Sequence, residues 1–91
     1  NKMKAIVTVV GKDRVGIIAD VCTILAKNGV NILDISQTIL DDIFSMSMLV
    51  TLDIEVADFN TVQERLETAG KDLGVQGIIQ REDVFQFMYK I

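Results

Sequence analysis

An α+β fold is predicted, with four antiparallel strands carrying two helices on one face in the order βαββαβ and a short helix at the C-terminus. Three observations predict it. An apolar run from Met3 to Val10 passes through a glycine-bounded loop, GKDRVG at residues 11 to 16, into a helical pattern from Ile17 to Lys27. Two alternating stretches, 31 to 40 and 43 to 52, are separated by Asp41 and Asp42, as in a hairpin. A second helical pattern from Phe59 to Leu73 leads into a strand pattern from Val75 to Arg81.

The first strand has apolar residues on both parities, broken only by Lys4 and Thr8. It reads as largely buried and central in its sheet. The first helix buries Ile17, Ile18, Val21, Cys22, Ile24 and Leu25 and leaves Asp20, Thr23 and Lys27 opposite. Asn28 and Gly29, both tolerant of the left-handed conformation, end it.

In the second strand Leu33, Ile35 and Ile39 alternate with Asp34, Ser36 and Thr38, which predicts a half-exposed strand. In the third, Phe44, Met46, Met48, Val50 and Leu52 share one face; methionines at this spacing read as core. Asp58 is placed to cap the second helix, whose Phe59, Val62, Leu66, Ala69 and Leu73 recur at three- and four-residue steps. Glu67 and Lys71 are spaced to pair on its outer face, and Gly74 closes it. Gly70 inside the helix costs about 1 kcal/mol against alanine, so either tolerance or close packing is implied there. Residues 83 to 91 fit a helix, joining Val84, Phe85, Met88 and Ile91, or a strand, joining Phe85, Phe87, Tyr89 and Ile91; a helix capped by Asp83 is preferred. Two helices on one face of a four-stranded antiparallel sheet make a ferredoxin-like sandwich.

Ninety-one residues form one domain, since a chain this short cannot fill two cores. The hydrophobic share of 49% and charged share of 24% are those of a globular chain. No apolar stretch approaches the ~20 residues of a membrane span, and no signal peptide precedes the first strand. Met3 reads as the natural start, with Asn1 and Lys2 as additions ahead of it. One cysteine, Cys22, excludes an internal disulfide and suits a reducing cytoplasm. It has no basic neighbour in sequence to activate it.

The chain has no histidine, which removes the commonest general base and the commonest metal ligand together. No metal-ligand spacing is present, and no cofactor is expected. Net charge is −4, with the positive residues scattered, so a phosphate backbone is repelled on average. Phe85, Phe87 and Tyr89 crowd the C-terminus and make no stacking platform, so neither nucleic acid nor membrane is an expected partner.

The loop at residues 11 to 16 and the GVNI turn at residues 29 to 32 carry the functional signal. A strand, a glycine-bounded loop with Asp13 and a helix start are followed by a second strand whose opening residue, Asn31, is expected to return near the loop. Backbone N–H groups, a carboxylate and an amide would then converge at a helix N-terminus, which favours an anionic group. A small zwitterion fits such a place.

GKDRVGIIADVCTILAKNGVNILDIS resembles the opening half of an ACT domain, whose hallmark is an Asp or Asn with Pro-Gly two residues on, then a helix and a GxNI turn. The element order extends the resemblance over nearly all of the chain, and it is similar to the ACT domains of the glycine cleavage repressor. Val15 stands where the family's usual proline does, which gives a looser loop.

The resemblance implies a regulatory homodimer that binds an amino acid and passes its state to a protein partner. Asp13 caps the first helix and, by the resemblance, also faces a ligand ammonium. Gly11, Arg14, Val15 and Gly16 would present backbone to the ligand carboxylate, with Gly16 serving either that purpose or a close helix-to-sheet approach. Asn31 is either a turn residue or an amide for the ligand's polar end, while Ile17, Ile18 and Ile32 are core or pocket lining.

Two other readings stand beside this one. The first is a pure dimerisation module. The second is an acylphosphatase-like hydrolase built on Arg14, which Asp13 beside it disfavours by repelling a dianion. Dimerisation itself follows from the second strand, an edge without proline or lysine, or from a second sheet covering the polar face of Ser36, Thr38, Ser45 and Ser47.

Overall fold

A computed structural model describes residues 2 to 12 and 14 to 83. Six elements follow one another: β1 (Lys2–Gly11), α1 (Arg14–Lys27), β2 (Val30–Leu40), β3 (Ile43–Asp53), α2 (Phe59–Leu73) and β4 (Gln76–Arg81). The sheet order is β2-β3-β1-β4 with every neighbouring pair antiparallel, the ferredoxin-like βαββαβ arrangement. β1 is central and β2 is an edge, as the sequence predicts. The expected helix over residues 83 to 91 lies outside the described residues, as does Asp13.

The core forms where the period of two in the sheet meets the period of 3.6 in the helices. Val7 lies between Met48 of β3 and Ile79 of β4, and all three are buried on the helix side. Ile17, Val21 and Leu25 of α1 and Val62 and Leu66 of α2 close over them. Met46 and Met48 are wholly buried, so the methionine stripe is core. Cys22 is half-buried and free.

Two strand readings are corrected. β1 is buried on one face only, with Ala5, Val7 and Val9 inside and Lys4, Ile6, Thr8 and Val10 on the opposite face. Both helices lie on the same side of the sheet, and the apolar second parity, Ile6 and Val10, belongs to a surface that no helix among the described residues covers. In β2 the register slips between Ile32 and Asp34, so Leu33 becomes the extra residue of a bulge. Ile32 and Ile35 then share the helix side, opposite Val50 and Met48. Leu33, Ile35 and Ile39 are 47%, 43% and 54% exposed, so the far half of this strand is only partly covered.

The helix ends behave as the sequence predicts, with local differences. α1 starts at Arg14, three residues before its apolar pattern. Asp58 caps α2 by accepting the Thr61 N–H at 2.8 Å, and Gly74 ends it with φ 72°. Glu67 and Lys71 do not pair; the ion pair among the described residues joins Arg81 to Asp83 at 3.0 Å on the surface. No helix among the described residues is long and apolar enough to cross a membrane.

Candidate functional site

The loop after β1 is held by its own neighbours. A Cβ on Gly11 would lie 2.5 Å from Val75 Cγ1 and 2.9 Å from Ile17 Cδ1, so the space beside this glycine is filled from within the chain. Ile17 is 3% exposed and belongs to the core; Ile18 and Ile32 pack against it while half-buried. Gly16 is exposed in the first turn of α1. Since α1 begins at Arg14, the amides of Arg14, Val15 and Gly16 have no intrahelical acceptor, and the positive end of the peptide dipoles gathers there. No acidic side chain lies in that first turn to neutralise it.

Asn31 does not return to this loop within one chain. It is exposed at the start of β2 opposite Thr51, which lies opposite Lys4, whereas Gly11 lies opposite Phe44. From Lys4 to Gly11 is about 23 Å along β1 at the usual rise per strand residue. The cause is the handover through α1. That helix carries the chain back to the start of β1 before β2 begins, so loop and GVNI turn occupy opposite ends of the sheet.

What the GVNI end contains instead is a buried amide that the sequence reading missed. Asn28 is 3% exposed; its Nδ2 donates to Ile24 O at 2.7 Å and its Oδ1 accepts from Arg65 Nη1 of α2. Gly29, at φ 71°, makes the left-handed turn alone, and a Cβ there would lie 2.9 Å from Val56. Asn28 thus acts through its side chain and not through an unusual backbone. Its pairing with Arg65, 37 positions away, leaves no local pattern to read.

The β2–β3 turn is the other part that sequence reasoning left out. Because Gly11 is level with Phe44, Lys12 comes beside Asp41 and Asp42, and a shallow cleft opens between them over Ile39, Ile43 and Phe44. Asp41 holds φ 59°, a left-handed conformation that aspartate tolerates in a tight turn. One cation and two carboxylates therefore flank an apolar floor next to the loop of residues 11 to 16. Among the described residues no group of three or more Cys, Asp or Glu is placed to hold a metal ion.

Comparison with known proteins agrees with this architecture. The ACT domain family model matches residues 4–80. A UPF0237 protein of Methanocaldococcus jannaschii is 50% identical over 88 residues, which cover 97% of this chain and 98% of that one. An ACT domain protein from Streptococcus pneumoniae superposes with a TM-score of 0.80 at 45% identity, covering 94% of this chain and 97% of that one. A glycine cleavage system transcriptional repressor shares the fold with a TM-score of 0.77 at 24% identity, over 88% of this chain and 46% of its own. The chain belongs to the ACT domain family.

Proposed function

We propose that this ACT domain is a regulatory module that binds a small amino acid between two copies of itself. The observation that carries the reading is the separation of the two half-sites together with the bare edge between them. β2 has no lysine or proline along its outer edge, and its Ile35 and Ile39 are uncovered. Antiparallel pairing of two such edges, centred between Ile35 and Ser36, sets Asn31 of one copy opposite Leu40 of the other. Leu40 pairs with Ile43 beside the loop, so the two ends that one chain holds apart meet across the two-fold.

In that arrangement the carboxylate takes the free amides of Arg14, Val15 and Gly16, and Asp13 holds the ammonium group. The partner's Asn31 fixes orientation through its amide, with Ile18 and the partner's Ile32 against the side chain. Ligand and dimer are then linked, because a ligand spanning both copies favours the paired state. Such a change in pairing is what a protein partner would read.

A thermal-shift screen of dialysed protein against the twenty amino acids tests the reading. One or a few should raise the melting temperature, and calorimetry should give one ligand per chain. Asn31→Ala should weaken binding at least tenfold while changing stability by under about 0.5 kcal/mol, since Asn31 is exposed. Unchanged affinity in that variant sinks the site. A dimer that no amino acid stabilises points instead to a pure dimerisation module.

A further inference from the structure

The uncovered face of the sheet has its own pattern, separate from the β2 edge. Its charges are Lys2 and Lys4 of β1 beside Asp53 of β3 at one end, and Asp34 of β2 level with Leu49. Beyond Lys4 and Thr51 the two central strands show no charge on this face as far as Val10 and Ser45. There Ile6 lies opposite Leu49 and Thr8 opposite Ser47, with Ile78 of β4 next to Thr8. Val10 and Ile78 are 37% and 52% exposed, and no helix among the described residues lies on this side.

We infer that this face is a second self-association surface, on which two copies pack sheet against sheet about a two-fold axis parallel to the strands and midway between β1 and β3. The pattern selects that axis. A rotation about it keeps strand direction and exchanges β1 with β3, so Lys2 faces the partner's Asp53, and the reverse pair forms by symmetry. Ile6 then meets the partner's Leu49, Thr8 meets Ser47, Ile78 meets the small Ser36, and Asp34 comes over the polar Gln80 at the rim. A two-fold across the strands would instead set Lys2 and Lys4 over the apolar Val10 end, stranding charge on an uncharged surface. Small residues at the centre keep the face flat enough for sheets to approach to about 10 Å.

The size of the contact sets its strength. Four strands about 4.8 Å apart and about 30 Å long give roughly 600 Å² per copy. That is below the ~800 Å² per partner of a standard interface, so this contact forms at high concentration and adds to the edge contact. Edge and face together build a tetramer from two edge-paired dimers.

Sedimentation velocity of the full chain, from tens of micromolar to millimolar, reads this directly. The wild-type chain should reach a tetramer, and Thr8→Arg should stop at the dimer, its face contact weakened at least tenfold. Lys2→Glu should have the same effect and be rescued on mixing with an Asp53→Lys chain; raised salt should weaken the wild-type step. The double variant Ile35→Lys, Ile39→Lys removes the edge and should still dimerise through the face. Two results overturn the inference. One is a largest species unaltered by Thr8→Arg. The other is Ile6 and Ile78 methyl signals that do not move with concentration while Thr8→Arg shifts those of residues 84 to 91, which would assign the face to the chain's own C-terminal segment.

Discussion

Asn28 and Asp58 show how single side chains hold helix ends that a periodic pattern can only locate approximately. Asn28 satisfies the Ile24 carbonyl and the Arg65 guanidinium at once from a buried position. Asn28→Ala removes both side-chain hydrogen bonds and should cost about 1–3 kcal/mol in urea unfolding, at ~0.5–1.5 kcal/mol for each bond lost. Asn28→Asp keeps the acceptor for Arg65 and should fall between the two. Asp58 behaves differently because it is exposed. Hydrogen bonds from the Thr61 side chain and then its backbone N–H hold its carboxyl below the usual 3.8. A depressed folded-state value means the cap's contribution is present above that pH and is lost as pH falls through the lowered value. Asp58→Ala should therefore melt earlier than the wild type at pH 7, and the gap should be smaller in acid, once the pH has fallen below the ordinary carboxylate range. Equal gaps at both pH values would show that the carboxylate's charge is not what the cap uses.

At the scale of elements, α2 and β4 meet at a point where helix propensity is the wrong guide. Gly70 is buried, and a Cβ there would lie 2.8 Å from Val75 O, while its own carbonyl accepts the Val75 N–H at 2.9 Å. Gly→Ala inside a helix ordinarily stabilises by about 1 kcal/mol; here the added methyl pushes against backbone that cannot swing aside. Gly70→Ala should destabilise by about 1–3 kcal/mol in chemical denaturation, and a stabilised variant would show that α2 and β4 can separate freely. Close packing is thus the resolution of a glycine whose purpose the sequence left open between two readings.

The same contrast explains what was legible. Element order, the central β1, the edge β2 and the Asp58 and Gly74 caps all follow from local period and local chemistry. The bulge at Leu33 was hidden, because one extra residue in β2 changes its phase without changing its composition. The open face of β1 was hidden too, since Ile6 and Val10 are apolar whether a helix or another molecule covers them. The distance between Gly11 and Asn31 depends on sheet register, which no stretch of either loop encodes.

For the whole molecule the decisive feature is that Leu33, Ile35, Ile39 and Leu40 lie exposed along one unpaired edge, and Val10 and Ile78 on a face that no helix among the described residues covers. A single copy of 91 residues leaves Ile35 and Ile39 in water on a strand whose outer N–H and C=O groups have no neighbour in the sheet. Edges like this are templates for a second strand, and lysine is the residue that ordinarily blocks them. The double variant Ile35→Lys, Ile39→Lys should fold with little loss, since both positions are exposed and surface changes cost within about 0.5 kcal/mol. It should nevertheless lose the edge-paired dimer and, with it, amino-acid binding, although neither position belongs to the loop of residues 11 to 16 or to Asn31. Calorimetry on this variant separates two architectures. Binding lost along with edge pairing means that the two half-sites complete each other across the two-fold, as their separation along β1 requires. Binding retained in a chain that no longer pairs through β2 would place the whole ligand site within one copy, beside the Lys12 cleft, and would remove pairing from the regulatory mechanism.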